Sequence, residues 1–427
     1  MLTRTTLAAS LLLLTTTFAG SPARADDPPG LIDRLTKAGL TPSAVYDGDV
    51  ATNASGGEKR GTAYSGNLYL QLALDGGRLI GEPGLTAWLE SLWVNAGQPS
   101  KYSGDAQGVD NIAALPTLRL YEAWMQYNFP GSRVSLLAGL YDMNTEFYRL
   151  ISSDMFLNGS FGTGPEFGLS GVAGPSIYPA TALGVRLAYK PSPNSVVRFA
   201  VLDGGPLHPQ DGSLPPFNPN NGLLLVGEAA FLTRATAGDA PLGPQARRHI
   251  GRLSKNTPYD GKIAIGAWYY TASPDQLSAS AAAGGPVRRR GEGGAYLLVD
   301  RVLLHFADDP KRRLTGFVQL GAANQAVDRI GTYVGGGLVA FGLLPGRPDD
   351  QLGLAAAMAR NGSRYIAIQQ QDGVPVAPAE TVIELSYIAQ ATSWLAVQPD
   401  VQYVIAPNTD PRLHNAVVAQ LRFELSF

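Results

Sequence analysis

Asn415-Ala416-Val417-Val418-Ala419-Gln420-Leu421-Arg422-Phe423-Glu424-Leu425-Ser426-Phe427 closes the chain. Val417, Ala419, Leu421, Phe423, Leu425 and Phe427 are apolar at every second position. Val418, Gln420, Arg422, Glu424 and Ser426 stand between them. A period of two is the side-chain repeat of a β-strand, so one face of this ribbon is oily and the other wettable. A soluble edge strand shares the alternation, but an exposed aromatic is an odd place for it to stop. A strand with lipid on one side and water on the other accounts for both features.

The same pattern recurs upstream. Alternation and turn residues place strands at 43–53, 62–74, 85–96, 117–129, 133–142, 182–190, 195–203, 223–234, 262–271, 295–305, 313–322, 332–343, 351–360, 381–389, 394–404 and 415–427. The expected fold class is all-β, a transmembrane antiparallel barrel of sixteen strands. An even count brings the C-terminus back to the side of the N-terminus. Connections after even-numbered strands are mostly short, such as Pro130-Gly131-Ser132, Pro191-Ser192-Pro193-Asn194, Asp308-Asp309-Pro310-Lys311 and Pro345-Gly346-Arg347-Pro348-Asp349. Those after odd-numbered strands are mostly long and rich in Gly, Pro and Asn. Short turns on one rim and long loops on the other are expected of outer-membrane barrels, the short ones periplasmic. The segment 235–261, long and basic with Arg247, Arg248, Arg252 and Lys255, breaks this rule.

The start of the chain reads as an address. Arg4 precedes an apolar run from Leu7 to Phe18, and Ala23-Arg24-Ala25 supplies a small-x-small cleavage pattern. Residues 1–25 are expected to leave as a signal peptide, and residues 26–427 to form one barrel. Leu31, Ile32 and Leu35 before Gly39 predict a short amphipathic helix near 30–38, packed beneath or inside the barrel. Ile330 to Gly346 is uncharged, but its six glycines favour a strand pair around a tight turn over a spanning helix.

Composition agrees. Charged residues make up 16% of the chain, against ~25% in soluble domains. The net charge of −2 offers no polyanion-binding surface, so nucleic acid is not an expected partner. No cysteine is present, which removes disulfides, zinc–thiolate sites and thiol nucleophiles. His208, His249, His305 and His414 form no metal-ligand spacing and no triad. No catalytic residue, metal or cofactor is expected.

Four stretches resemble the carbohydrate-selective porins of the OprB type. The first is 31–50, with its LxxxGL and YDGD. The second is AGLYDMNTEF at 138–147, followed by FLNGSFG at 156–162 and PSIYPATALGVRL at 175–187. The others are GGGLVAFGLLPGRPDDQLGLA at 335–355 and ETVIELSYIAQATSWLAVQPDVQYVIAPNTDP at 380–411. The resemblance implies an outer-membrane channel for passive diffusion of small sugars, such as monosaccharides, into the periplasm. A general diffusion porin for ions and small solutes, and a structural envelope barrel with a plugged lumen, are the alternatives. The terminal Phe427 resembles the signal read by the barrel assembly machinery. Small sugars, outer-membrane lipids and that machinery are the expected partners, and the sequence leaves monomer and trimer open.

A sixteen-stranded wall encloses a wide bore, and the loop 143–181, with Glu146, Arg149 and Asp154 near its start, is expected to constrict it. Parity assigns the lining. With Val185, Leu187, Val197 and Phe199 facing lipid, Arg186 and Arg198 face inward as one basic patch. With Tyr121, Ala123, Met125 and Tyr127 outward, Glu122 and Trp124 face inward. Glu384, Asp400 and Gln402 follow by the same rule, and Trp124 and Trp268 offer faces for sugar rings. An arginine or lysine facing mid-bilayer lipid costs ~2–4 kcal/mol, which is why charges belong inside. Two places resist simple alternation. Asp300 and Arg301 are adjacent, which calls for a bulge or a rim position, and Pro399 calls for a bulge within its strand.

Overall fold

The computed structural model describes residues 30–95, 97–207, 220–233, 259–278, 291–306 and 312–427. The expected signal peptide, His208, His249, the turn at 308–311 and the basic stretch 235–258 lie outside them. The strands are β1 Leu40–Ser55, β2 Gly61–Asp75, β3 Leu85–Asn95, β4 Thr117–Asn128, β5 Val134–Tyr141, β6 Ala182–Ser192, β7 Ser195–Asp203 and β8 Leu223–Thr233. They continue as β9 Gly261–Tyr270, β10 Glu292–His305, β11 Arg313–Ala323, β12 Ile330–Phe341, β13 Gln351–Asn361, β14 Ala379–Gln390, β15 Leu395–Ile405 and β16 Ala416–Ser426. Each pairs antiparallel with its neighbours in sequence, and β1 pairs with β16, so the sheet closes on itself. Closure satisfies every ladder without a free edge, which is what a hydrocarbon surround demands. The seam is completed by Phe427, whose N–H donates to Ala44 O at 2.9 Å and whose carbonyl accepts from Ala44 N at 3.1 Å.

The two faces differ as alternation requires. Val185, Leu187, Tyr189, Val197, Phe199, Ile383, Leu385, Val401 and Tyr403 are exposed on the outer wall. Arg186, Arg198, Glu384, Asp400 and Gln402 point inward and are buried. Parity fails at Tyr121, which faces inward rather than outward. The β3–β4 register passes from Glu90↔Glu122 to Ser91↔Leu120. This bulge skips Tyr121, so Tyr121 and Glu122 both enter the lumen while Leu118 and Leu120 face out.

Asp300 is buried, and Arg301 pairs with Gly261, the first residue of β9. The Asp300–Arg301 conflict is therefore resolved at the short-turn rim, with a register shift just beyond it at Val302/Leu304. Pro399 produces no bulge. The β14–β15 register is the same on both sides of it, and the ladder simply lapses between Ser386↔Asp400 and Ala389↔Val397. Ile330–Gly346 is not a strand pair: β12 takes Ile330–Phe341 as one strand, and the turn begins at Gly342.

Helix α1, Leu31–Lys37, buries no residue. It sits against the foot of β1 rather than inside the barrel, and Arg78 Nη1 donates to Thr36 O at 2.9 Å. Arg78 belongs to α2, Gly76–Ile80, in the β2–β3 connection.

Candidate functional site: the constricted lumen

The β5–β6 connection, 142–181, does not lie over the mouth. It crosses the lumen and is laced to the opposite wall, mostly through its own backbone. Asp142 N donates to Glu122 of β4 at 2.9 Å, and Tyr148 N to Glu228 of β8 at 3.0 Å. Ile151 N and Ser152 N share Asp300 of β10 at 3.2 and 3.1 Å. Leu157 N and Asn158 N take the two oxygens of Glu384 on β14 at 2.5 and 3.1 Å. Gly171 N then returns to Glu292 on β10. A carboxylate is an acceptor with two oxygens, so it can hold two adjacent amides. Such charge-assisted bonds are about twice as strong as neutral ones.

Side chains complete the lacing. Glu146 receives Arg186 Nε at 2.8 Å on one oxygen and Arg198 Nε at 3.0 Å on the other. Gln319 Nε2 donates to Phe161 O, Tyr333 OH to Ser160 O, and Gln398 Nε2 to Met155 O. Phe167 lies flat on Trp268, with ring centroids 4.3 Å apart and planes 13° from parallel. Two wall glycines make room. A Cβ at Gly321 would sit 1.8 Å from Glu166 Oε1, and one at Gly353 would sit 2.4 Å from Met155 Sδ.

A second connection, between β3 and β4, also turns inward. Ala106 N and Gln107 N donate to Glu380 at 2.8 and 3.0 Å. Gln402 and Gln420 both donate to Val109 O, and Asn111 N meets Leu157 O of the first loop at 2.8 Å. The sequence reading missed this loop because nothing in its composition separates it from an external one.

Among the described residues, a gap of about 360 Å³ lies between these loops and the wall of β1, β2 and β16. Asp47, Tyr69, Gln71, Arg422 and Glu424 line the wall side. Asn111, Asn144, Arg149, Asp154 and Tyr178 line the loop side. Arg149 and Asp154 pair at 2.9 Å. Opposite them Arg422 is fixed by Asp49, with Nε and Nη2 contacts of 2.8 and 2.6 Å, and by Asn111 at 2.7 Å. Fixed donors and acceptors of both signs, flanked by two tyrosines, face a solute here.

The expected site residues divide accordingly. Arg149 and Asp154 line the gap. Arg186 and Arg198 do come together, but on Glu146 behind the loop, so they form no open basic patch. Trp268 is covered by Phe167 and offers no face to a sugar. Glu122 and Glu384 hold loop amides, Asp400 accepts from Gln402 Nε2 at 3.3 Å, and Gln402 in turn accepts from Asn158 Nδ2 at 3.1 Å. Trp124 stacks on Trp88, with centroids 6.5 Å apart. Glu122, Trp268, Glu384 and Gln402 thus face inward yet touch the loop instead of the gap. Asp47 and Asp49, in the YDGD stretch, and Arg422 and Glu424, in the closing strand, were legible by parity as lumen residues. Nothing local told which lumen sector the loop would leave uncovered.

Residues 59–427 match the family model "Carbohydrate-selective porin, OprB family". Porin B of Pseudomonas aeruginosa is 25% identical over 187 residues, which span 39% of this chain and 41% of that protein. The high-pH structure of Pseudomonas putida OprB superposes with a TM-score of 0.79 at 20% identity, covering 92% of this chain and 96% of that one. The outer membrane channel DcaP of Acinetobacter baumannii gives 0.52 at 13% identity, covering 92% and 98%. The barrel is one of the outer membrane, and the chain belongs to the carbohydrate-selective porins of the OprB family.

Proposed function

We propose that this porin lets small sugars diffuse passively into the periplasm through the gap between its inward loops and the β16–β1–β2 wall. One observation carries the reading: the gap is lined by paired charges and amides flanked by Tyr69 and Tyr178. Planar carboxylate, amide and guanidinium groups exchange hydrogen bonds with hydroxyls, and an aromatic ring covers the C–H face of a pyranose. Each contact is weak enough to release a solute, which transit requires. Nothing in this arrangement calls for bond-breaking chemistry, and we assign no catalysis to it.

Liposome swelling with glucose, disaccharides and amino acids tests the proposal. Glucose should permeate faster than amino acids of matched size. Equal rates would leave a general diffusion porin, and absence of both swelling and conductance would leave a plugged structural barrel.

Three further assignments belong to the same reading. Residues 1–25 are removed on export. Phe427 serves the barrel assembly machinery. The loop 142–181 is the constriction, with Glu146 anchoring it and Arg149 and Asp154 at its working edge. Oligomeric state is a matter for cross-linking in native membranes, which separates monomer from trimer.

A further inference from the structure

Arg186, Arg198 and Arg422 each hold a carboxylate. Arg119 does not. It is the third residue of β4 from the long-loop rim, between the outward Leu118 and Leu120, 71% and 54% exposed, so it points into the lumen. Its cross-strand partner is Leu92, which is fully buried in a cluster with Tyr69 and Tyr121 that also packs on Tyr178. Nε and Nη1 of Arg119 are enclosed and make no hydrogen bond to the described residues. Among the described residues, the ionisable groups bearing on it are the phenols of Tyr178 and Tyr121, with no acid among them. A partly dehydrated guanidinium without a counter-charge is costly, and an anion in the lumen relieves that cost.

We propose that Arg119 is a capture point for the carboxylate of acidic monosaccharides, aldonates or uronates, on the outer side of the constriction. The inference rests on the porin reading and adds a substrate class to it. Tyr178 packs on the cluster that holds Leu92, the cross-strand partner of Arg119, and also lines the gap, so it links the two places. The wall side of the gap carries Asp47 and Glu424, and its Arg422 is already held by Asp49 and Asp110. A dianionic phosphate sugar is repelled there, whereas a sugar acid docked by its single carboxylate presents a neutral polyol to them. Arginine is suited to this task because its planar fork matches a carboxylate.

The test is single-channel recording of the full-length protein in planar bilayers, with sodium gluconate added on the long-loop side in chloride electrolyte. Gluconate should reduce the open-channel current of the wild type. Arg119→Gln should need roughly tenfold more gluconate for the same reduction, which is the effect of one lost charge-assisted bond, and Arg119→Lys should fall between. Glucose should act alike on all three. Equal sensitivity of wild type and Arg119→Gln to gluconate overturns the proposal, as does equal reduction by acetate, which assigns simple anion binding. Absence of any conductance in the wild type rejects the porin reading instead, so the two failures are distinct.

Discussion

Arg186 Nε donates to Glu146 at 2.8 Å, and neither side chain reaches solvent. The pair joins β6 to a loop that has just left β5, and Arg198 of β7 holds the other oxygen of the same carboxylate. Breaking a buried pair by removing one partner costs about 3–5 kcal/mol, because the remaining charge is left uncompensated. Glu146→Gln should therefore loosen the start of the constriction and leave two buried guanidinium groups facing each other. We expect a higher and noisier single-channel conductance, read in planar bilayers, and a melting temperature below wild type. A conductance and noise spectrum identical to wild type would show that Glu146 does not anchor the loop.

The far end of the lacing gives an independent variant. Glu384→Gln keeps the shape but replaces two carboxylate acceptors with one carbonyl, so one of Leu157 N and Asn158 N loses its partner. A buried unsatisfied amide costs about 1–3 kcal/mol. Because the barrel ladders are untouched, the damage should appear in channel noise and in proteolysis of the loop while the sheet signal in circular dichroism is kept. A fall in sheet signal would place the role of Glu384 in the barrel itself.

Steric variants displace the loop without touching charge. Gly321→Val puts side-chain atoms where Glu166 now lies, since even a Cβ would come within 1.8 Å of it. Overpacking of this kind costs typically about 1–3 kcal/mol. The turn also lines the gap through Pro165 and Gly168, so a loop pushed off β11 narrows it, and liposome swelling should show slower passage of disaccharides relative to glucose. An unchanged ratio would mean that the 164–168 turn does not limit width.

Glu166 also sets a pH dependence. Burial pushes its carboxyl from an ordinary 4.5 up to about 7, while Tyr148 OH donates to it at 2.8 Å. The folded loop therefore holds the proton more tightly than the unfolded chain does. This contribution is full below 4.5 and is lost as pH rises through about 7. It amounts to about 3 kcal/mol at most. Thermal melts should fall between about pH 5 and pH 7 in the wild type, and the slope should be shallower in Glu166→Gln. Equal slopes would show that Glu166 does not carry it.

The wall was legible in the sequence because lipid and water enforce a period of two. The strand at 195–203 matches β7 at both ends, and the other fifteen match within three residues. Where the period breaks, local reasoning failed. Tyr121 was misplaced because a bulge adds one residue, and a bulge leaves no mark in the alternation itself. The loop was legible only as long and peculiar. Its path depends on contacts such as Glu384 to Leu157, far apart in the chain and made to backbone amides that carry no sequence signature. Hence Arg149 and Asp154, expected only near the start of the loop, line the gap, whereas Trp268, expected to offer a face to sugars, is covered by Phe167.

The most direct measurement uses the absence of cysteine from the chain. Single cysteines at Asp154, Glu424 and Gln402 are exposed in turn to a charged thiol reagent while current is recorded through one channel. Asp154→Cys and Glu424→Cys, on opposite sides of the gap, should react and lose current in a step. Gln402→Cys, behind the loop, should stay unmodified. Rapid block at Gln402→Cys with none at Asp154→Cys would place the solute path on the other side of the loop and contradict the constriction proposed above.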